Sequence, residues 1–175
     1  MNVTPSELAA AIRTIPDFPK PGIQFKDITP VLGNARLLAG CIERMIEGHV
    51  PGEVDAVVGI DARGFIFGAA AALRLQAAFV PVRKRGKLPF RTIEQSYDLE
   101  YGSNTIAMHV DALTPGSRVL LMDDLLATGG TAAAAIALIQ RLDARILEAV
   151  FFVELESLGG RARLGSTPVR SLVAY

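Results

Sequence analysis

The sequence predicts an α/β fold in which helices cover both faces of a mostly parallel sheet. From Asp55 onward, short apolar runs alternate with longer helical segments, which is the element order of such folds. The apolar run at residues 119–122 has the composition of a strand that is covered on both faces. Half of the 175 residues are hydrophobic, so we expect a single domain, residues 1–175, with a sizeable core.

The N-terminal segment is predicted to be a short helix followed by an irregular lid. Thr4 and Glu7 have the spacing of a capping box, and Pro5 stands at the first helical position, so a helix should run to about residue 14. The stretch 16–30 holds four prolines and Gly22, which predicts no regular element. Because this stretch is too apolar for a linker, we expect it to pack over the domain.

The remaining elements follow from hydrophobic periodicity and turn residues. A helix is predicted at residues 35–47, with the single cysteine, Cys41, on its apolar stripe. Strands are predicted at 56–60, 78–82, 97–101, 105–110, 119–122, 146–153 and 169–173, with helices at 64–75 and 132–140. A parallel sheet of this kind binds ligands in the crevice outside the carboxyl ends of its strands.

Charge and composition argue against several classes of protein. Eighteen basic and eighteen acidic residues cancel, so there is no general attraction to nucleic acid or to an anionic membrane. The apolar stretch 64–73 is about half of the roughly 20 residues that span a bilayer. His49 and His109 have no cysteine or carboxylate at ligand spacing, which argues against a zinc site. The N-terminus lacks the pattern of a secretion signal, so we expect a cytoplasmic protein with a reduced Cys41.

The strongest functional signal is the segment 118–131, which reads RVLLMDDLLATGGT. It places two carboxylates, Asp123 and Asp124, at the end of a predicted strand, before a turn that opens a helix. The turn residues are Ala127, Thr128, Gly129, Gly130 and Thr131. Unpaired N–H groups at a helix start bind phosphate, and glycine lets the backbone approach it closely. The carboxylates would repel phosphate but accept hydrogen bonds from ribose hydroxyls, so the segment predicts a sugar-phosphate site rather than an ordinary strand–turn–helix.

Two further segments could contact anions. In 61–64, Arg63 offers a planar fork of donors and Gly64 frees the backbone at a helix start, although an arginine at an ordinary strand-to-helix corner is the alternative. The segment 83–96 is predicted to be a mobile loop, with a solvated basic turn as the alternative. Its basic residues are Arg83, Lys84, Arg85, Lys87 and Arg91.

These segments resemble the type I phosphoribosyltransferases. Residues 123–131 resemble the family's phosphoribosyl-diphosphate signature. Four other segments are similar, in the same order, to the adenine-specific branch: PDFPKPGIQFKDITPVL at 16–32, GIDARGFIFG at 59–68, VRKRGKLP at 82–89 and LEYG at 99–102. The resemblance implies the type I fold, with a small N-terminal hood, residues 1–33, that contributes to the adenine site, and a mobile catalytic loop at 83–96.

The resemblance also implies a reaction, a Mg²⁺-dependent transfer of the phosphoribosyl group from phosphoribosyl diphosphate to adenine in purine salvage. Residues 127–131 would hold the 5′-phosphate, and Asp123 and Asp124 the ribose. The leaving diphosphate would be neutralised by Mg²⁺, which it mainly holds itself, and by the basic residues Arg63, Arg83, Lys84 and Lys87. An arginine at the position of Arg83 reaches the partner subunit's site in the family, which implies a homodimer.

The base site is also inferred from the resemblance. Glu100 would accept or orient the proton that adenine loses, and its alternative is a cross-strand surface glutamate. Phe25 would stack on the purine or anchor the lid, while the backbone near Gln24 and Lys26 reads the purine edge. Two other functions remain open, namely a non-catalytic sensor of phosphoribosyl diphosphate and a transferase for another purine base. A sensor should carry a DNA-binding module, and none is visible in the sequence.

Overall fold

The structure is a computed structural model that describes residues 3–98 and 103–175. Its helices are α1 (Pro5–Ala11), α2 (Thr29–Leu32), α3 (Ala35–Met45), α4 (Gly64–Leu75) and α5 (Gly130–Arg141). Its strands are β1 (Arg13–Pro16), β2 (Gln24–Asp27), β3 (Ala56–Ile60), β4 (Ala78–Lys84), β5 (Thr92–Asp98), β6 (Ser103–His109), β7 (Arg118–Leu126), β8 (Arg145–Glu154) and β9 (Val169–Ala174). Two 3₁₀ helices, Glu156–Leu158 and Gly160–Leu164, lie between β8 and β9.

Within the described residues, seven strands form one sheet in the order β5-β6-β4-β3-β7-β8-β9. Strands β4, β3, β7, β8 and β9 are parallel to one another, and β6 runs antiparallel between β4 and β5. Val57 and Leu120 point into a core shared with α1, α3 and α4. Val58 and Leu121 point into the opposite core, which is shared with α5. Alternate side chains of a strand point to opposite faces of the sheet, so both faces are buried under helices. The predicted α/β class is therefore confirmed.

Several predicted boundaries hold and one central strand is longer than expected. The strand at 56–60 and the helix at 64–75 have the predicted bounds. Strand β7 extends four residues past 122, because it pairs with β8 as far as Leu126 and Glu154. The two aspartates therefore lie inside the strand. Cys41 is a buried core residue of α3, as predicted, and burial raises the pKa of its thiol to about 12.

The N-terminal lid is more regular than its prolines suggested. The capping box of Thr4 and Glu7 is present, but α1 ends at Ala11 and not near residue 14. The prediction of no regular element at 16–30 is wrong, because β1 and β2 form an antiparallel hairpin and α2 follows. A salt bridge of 2.6 Å between Arg13 and Asp27 closes the open end of this hairpin.

The segment 83–96 is also more regular than expected. Strand β4 continues to Lys84 and β5 begins at Thr92, which leaves only residues 85–91 as a connecting turn. β5 is an edge strand with several polar residues, so its pattern is that of a loop, yet its backbone pairs with β6 from Thr92 to Asp98. The predicted strand at 97–101 overlaps β5 at two residues, and its remainder lies outside the described residues. Mobility of the turn stays a prediction.

No helix in residues 3–98 and 103–175 has the length and apolar character needed to cross a membrane.

Candidate active site

A cavity of about 280 Å³ lies at the carboxyl ends of β3, β4 and β7, where the sheet order predicts a ligand crevice. Its lining residues are Ile60, Asp61, Ala62, Arg63, Val82, Arg83, Lys84, Tyr97, Ile106 and residues 123–132. Three segments predicted to contact anions or sugar therefore meet in one cavity, although they are far apart in the sequence. Of the basic residues expected to neutralise the diphosphate, Arg63, Arg83 and Lys84 line this cavity and Lys87 does not.

The turn at 127–131, called here the phosphate loop, forms one wall of the cavity. Gly129 has a φ of +79°, which glycine adopts without a steric penalty, and it is the N-cap residue of α5. No side chain caps this helix start. The first-turn N–H groups and the positive end of a twelve-residue helix are therefore suited to a bound phosphate.

The side chains of Asp123 and Asp124, consecutive residues of β7, both line the cavity. Asp124 is 7% exposed, and Oδ2 of its carboxylate accepts a hydrogen bond from Nε of Arg63. Oδ1 of Asp123 accepts a hydrogen bond of 2.8 Å from the backbone N–H of Asp124. Burial, together with the neighbouring Asp124 carboxylate, raises the pKa of Asp123 well above its usual range.

Gly64 packs closely against β7, with no space for a side chain. A Cβ at this position would lie 2.8 Å from Oδ1 of Asp123 and 2.9 Å from the carbonyl oxygen of Met122. The start of α4 thus packs directly on β7, and the absence of a side chain brings Arg63 within reach of Asp124. That Gly64 also lets the backbone approach an anion stays a prediction.

The basic side of the cavity is formed by the end of β4. Nε of Arg83 donates to Oδ2 of Asp61 at 2.9 Å, and its Nη1 donates to the carbonyl oxygen of Lys87 at 3.1 Å. Lys84, the last residue of β4, also lines the cavity. Arg83 and Lys84 therefore lie at the cavity of their own chain, while Lys87 contributes a backbone carbonyl to the turn.

A second, more apolar cavity of about 140 Å³ adjoins the first beneath the β1–β2 hairpin. It is lined by Ile23, Gln24, Phe25, Lys26, Arg63, Asp124, Leu125, Val153 and Leu155. The ring of Phe25 packs edge-on against Phe18, with ring centroids 5.1 Å apart. Phe25 therefore anchors the hairpin and also lines the cavity, while its stacking on a purine stays a prediction.

The side chain of Lys26 is engaged elsewhere in the hood. Its Nζ donates to Oγ1 of Thr14 at 3.1 Å and lies 3.7 Å from the centroid of the Tyr175 ring. Lys26 therefore offers the cavity its backbone more readily than its ammonium group. This arrangement fits the expectation that the main chain near residues 24 and 26 contacts the ligand there.

Some lining residues were not predicted to be site residues. Asp61 follows β3 directly, and its position at the carboxyl end of a buried strand was an available signal. Tyr97 packs near the phosphate loop, and a Cβ on Gly130 would lie 3.1 Å from its ring. Val153 and Leu155 reach the second cavity only through tertiary folding. Glu100, the predicted proton acceptor, lies outside the described residues.

Comparison with known proteins agrees with this site. A family model described as a phosphoribosyl transferase domain matches residues 26–165. The adenine phosphoribosyltransferase of Maricaulis maris is 54% identical over 171 residues, which cover 97% of this chain and 98% of that protein. The chain belongs to the phosphoribosyl transferase family, and relatives that match it over nearly its whole length are adenine phosphoribosyltransferases.

Solved structures show the same relationship. The adenine phosphoribosyltransferase of Rhodothermus marinus is 52% identical with a TM-score of 0.92, and the match covers 98% of both chains. The enzyme of Saccharomyces cerevisiae is 40% identical with a TM-score of 0.89, over 96% of this chain and 97% of that one. That yeast structure holds an imino-altritol bisphosphate and adenine. The type I fold inferred from the sequence is therefore confirmed.

Proposed function

We propose that this chain transfers the phosphoribosyl group of 5-phospho-α-D-ribose 1-diphosphate to adenine, giving AMP and pyrophosphate in purine salvage. The observation that carries this proposal is the junction of two unlike cavities. The larger one is lined by anion-binding and carboxylate groups and the smaller one by apolar groups, and Arg63 and Asp124 line both. A nucleotide has the same division, with a phosphate and sugar at one end and a flat, largely apolar base at the other.

The sugar phosphate is bound by hydrogen-bond donors at its phosphate and by hydrogen-bond acceptors at its ribose. The N–H groups of the phosphate loop, with the hydroxyls of Thr128 and Thr131, donate to the 5′-phosphate. The carboxylates of Asp123 and Asp124 accept hydrogen bonds from the ribose hydroxyls. This division holds C1′ of the ribose between the diphosphate and the base.

Catalysis in this site is mainly electrostatic. N9 of adenine forms a bond to C1′ as the bond from C1′ to the diphosphate oxygen breaks, and positive charge develops on the ribose. Arg63, Arg83 and Lys84 stabilise the negative charge that grows on the departing diphosphate. The substrate brings its own leaving group, so the protein needs no covalent intermediate.

Mg²⁺ prefers oxygen ligands from carboxylates, phosphates and water. Asp61, Asp123 and Asp124 line the cavity, and Asp61 and Asp124 are each paired with an arginine. Among residues 3–98 and 103–175, no group of three or more His, Cys, Asp or Glu side chains is placed to hold a metal ion. We propose that the diphosphate would hold most of the coordination of Mg²⁺, and that the bound ion would supply positive charge to the leaving group.

The base lies in the smaller cavity, against Phe25. The main chain of Gln24 and Lys26 reads its edge, and Leu125 and Val153 contact its apolar surface. Glu100 accepts or orients the proton that leaves N9, a role that rests on the family resemblance.

The protein acts as a homodimer in this proposal, in the cytoplasm. The outer face of α4 carries two exposed apolar residues, Ile66 at 41% and Leu73 at 82% exposure, and a second copy of the chain would cover such a face. Arg83 reaches its own cavity within the single chain. Its contribution to a partner subunit's site stays an inference from the family.

The test is AMP formation by the purified protein from adenine, phosphoribosyl diphosphate and Mg²⁺. Hypoxanthine, guanine and orotate are run in parallel, with a chelated control that lacks free metal. We expect product from adenine alone and none without metal. Product from another base would replace the proposed specificity, and no product from any base, with phosphoribosyl diphosphate still bound, would identify a sensor.

A further inference from the structure

The turn that follows β8 packs directly on the back of the phosphate loop. This turn, residues 155–164, is called here the support turn. A Cβ on Gly160 would lie 2.1 Å from the carbonyl oxygen of Ala127 and 2.9 Å from the backbone nitrogen of Gly129. A Cβ on Gly129 would lie 2.3 Å from the carbonyl oxygen of Gly160. The two main chains are therefore in contact, with no space for a side chain on either.

An ion pair between the exposed Arg161 and the buried Glu154 holds the support turn in place. Arg161 donates from Nε to Oε1 of Glu154 at 3.0 Å and from Nη2 to Oε2 at 2.5 Å. Its Nη1 donates to the carbonyl oxygen of Val169 at 2.8 Å, and the hydroxyl of Ser171 donates to Glu154 at 2.7 Å. Glu154 is 5% exposed. A bidentate, charge-assisted contact of this kind attracts the two side chains and also fixes their relative orientation.

The support turn and the phosphate loop are also joined at their ends. The N–H of Leu155, where the support turn begins, donates to the carbonyl oxygen of Leu126 at 2.9 Å, and Leu126 directly precedes the phosphate loop. Leu164, at the other end of the turn, is 3% exposed and packs in the same core as α5. The support turn is therefore held at both ends, and Gly160, which lies between these ends, contacts the phosphate loop.

We propose that Gly160 is a positioning residue for the phosphoribosyl transfer, because its main chain sets the position of the phosphate-binding N–H groups of the loop. This inference rests on the function proposed above. Gly160 does not touch the substrate and acts through Ala127 and Gly129. A methyl group on Gly160 does not fit against Ala127, and because the ends of the support turn are fixed we expect the loop to move. A shift of about 1 Å in positioning groups can cost about 100-fold in rate.

The test compares Gly160→Ala with its neighbour Gly159→Ala. Gly159 has a φ of +63°, so an alanine strains the backbone of the same turn, but its Cβ would meet no atom within 4 Å. We expect Gly160→Ala to raise the KM for phosphoribosyl diphosphate by about 10- to 100-fold and to leave the KM for adenine within about 2-fold. Gly159→Ala should lower the melting temperature and leave both KM values close to those of the wild type.

Direct binding gives a second readout that is independent of turnover. Calorimetric titration with ribose 5-phosphate should show weaker binding to Gly160→Ala than to Gly159→Ala. Unchanged affinity, or equal losses in both variants, would overturn the proposal. Wild-type protein without transferase activity would instead contradict the proposed function, so the two failures are distinguishable.

A further pair of variants covers the case in which Gly160→Ala does not fold. Arg161→Gln removes the charged fork from Glu154, and Arg161→Lys keeps the positive charge. We expect a raised KM for phosphoribosyl diphosphate in Arg161→Gln and partial recovery in Arg161→Lys, with the KM for adenine unchanged. Equal changes in both KM values would show that Arg161 has a general structural role and would contradict the proposal.

Discussion

Nε of Arg63 donates a hydrogen bond to Oδ2 of Asp124, and this pair lies where the phosphate cavity meets the apolar cavity. Arg63 is the N-cap residue of α4, whereas Asp124 lies inside β7. In the proposed reaction both groups acquire new partners, the guanidinium a diphosphate and the carboxylate a ribose hydroxyl. Substrate binding therefore replaces one protein–protein hydrogen bond with two protein–substrate contacts.

Removal of the Arg63 side chain should impair catalysis far more than folding. We expect Arg63→Ala to lower kcat/KM for phosphoribosyl diphosphate by about 100-fold or more, because a preorganised donor to the leaving group is lost. Arg74→Ala is the matched control, since Arg74 lies at the other end of α4 in a surface salt bridge with Glu43. Steady-state kinetics of both variants measure kcat/KM for phosphoribosyl diphosphate. Similar kcat/KM values for Arg63→Ala and Arg74→Ala would exclude Arg63 from leaving-group stabilisation.

Asp123→Asn should stabilise the free protein at neutral pH while lowering its activity. The raised pKa of Asp123 means that the folded state holds this proton more tightly than the unfolded chain. Stability is therefore lost as the pH rises from the unfolded pKa of about 3.9 toward the higher folded pKa. An asparagine has no carboxylate to ionise and keeps an oxygen that can accept the Asp124 N–H.

Thermal unfolding across a pH series measures this difference. The melting temperature of Asp123→Asn should exceed that of the wild type at pH 7, and the two should converge near pH 3.5, below the unfolded pKa. A lower melting temperature for the variant at pH 7 would show that the ionised carboxylate stabilises the fold, contrary to the pKa direction.

The base site should depend on the side chain of Phe25 and not on that of Lys26. Phe25→Ala removes an aromatic surface from the apolar cavity, so we expect the KM for adenine to rise by about 10-fold or more. Lys26→Met should leave it within about 2-fold, since the ammonium group contacts Thr14 and Tyr175. A tenfold loss with Lys26→Met would place the ammonium group, rather than the backbone, against the base.

Glu100 is the proposed proton acceptor, and its test is kinetic. Glu100→Ala should lower kcat by on the order of 100-fold, because general base catalysis typically contributes that much. Affinity for phosphoribosyl diphosphate should change little, which titration calorimetry can measure. Unchanged turnover would remove Glu100 from the mechanism.

The sequence predicts most of the sheet because the pattern of burial is local. The run at 56–60 is apolar at every position, and each of its residues is buried in β3. The pattern failed where pairing is decided by distant residues. β5 is polar, and only its antiparallel partner β6 makes it a strand. Prolines likewise concealed the β1–β2 hairpin, which is held by the contact of Arg13 with Asp27.

The candidate site could likewise be predicted where its residues are adjacent in the sequence, but not where folding brings distant residues together. Residues 123–131 form one continuous segment, so their chemistry could be recognised together in the sequence. Asp61 and Tyr97 join them only because β3, β5 and β7 end near one another. Gly160 has no side chain that a sequence pattern could single out. Its role is inferred only from the close contact between its main chain and that of Gly129 in the folded protein.

The most direct test of this account is the position of AMP in a crystal structure of its complex with the protein. The account predicts one nucleotide across both cavities, with the phosphate on the N–H groups of residues 127–131, the ribose at Asp123 and Asp124, and the purine against Phe25. Arg63 should then have left Asp124. A purine bound away from Phe25, or an Arg63–Asp124 contact that persists beside the bound ribose, would contradict it.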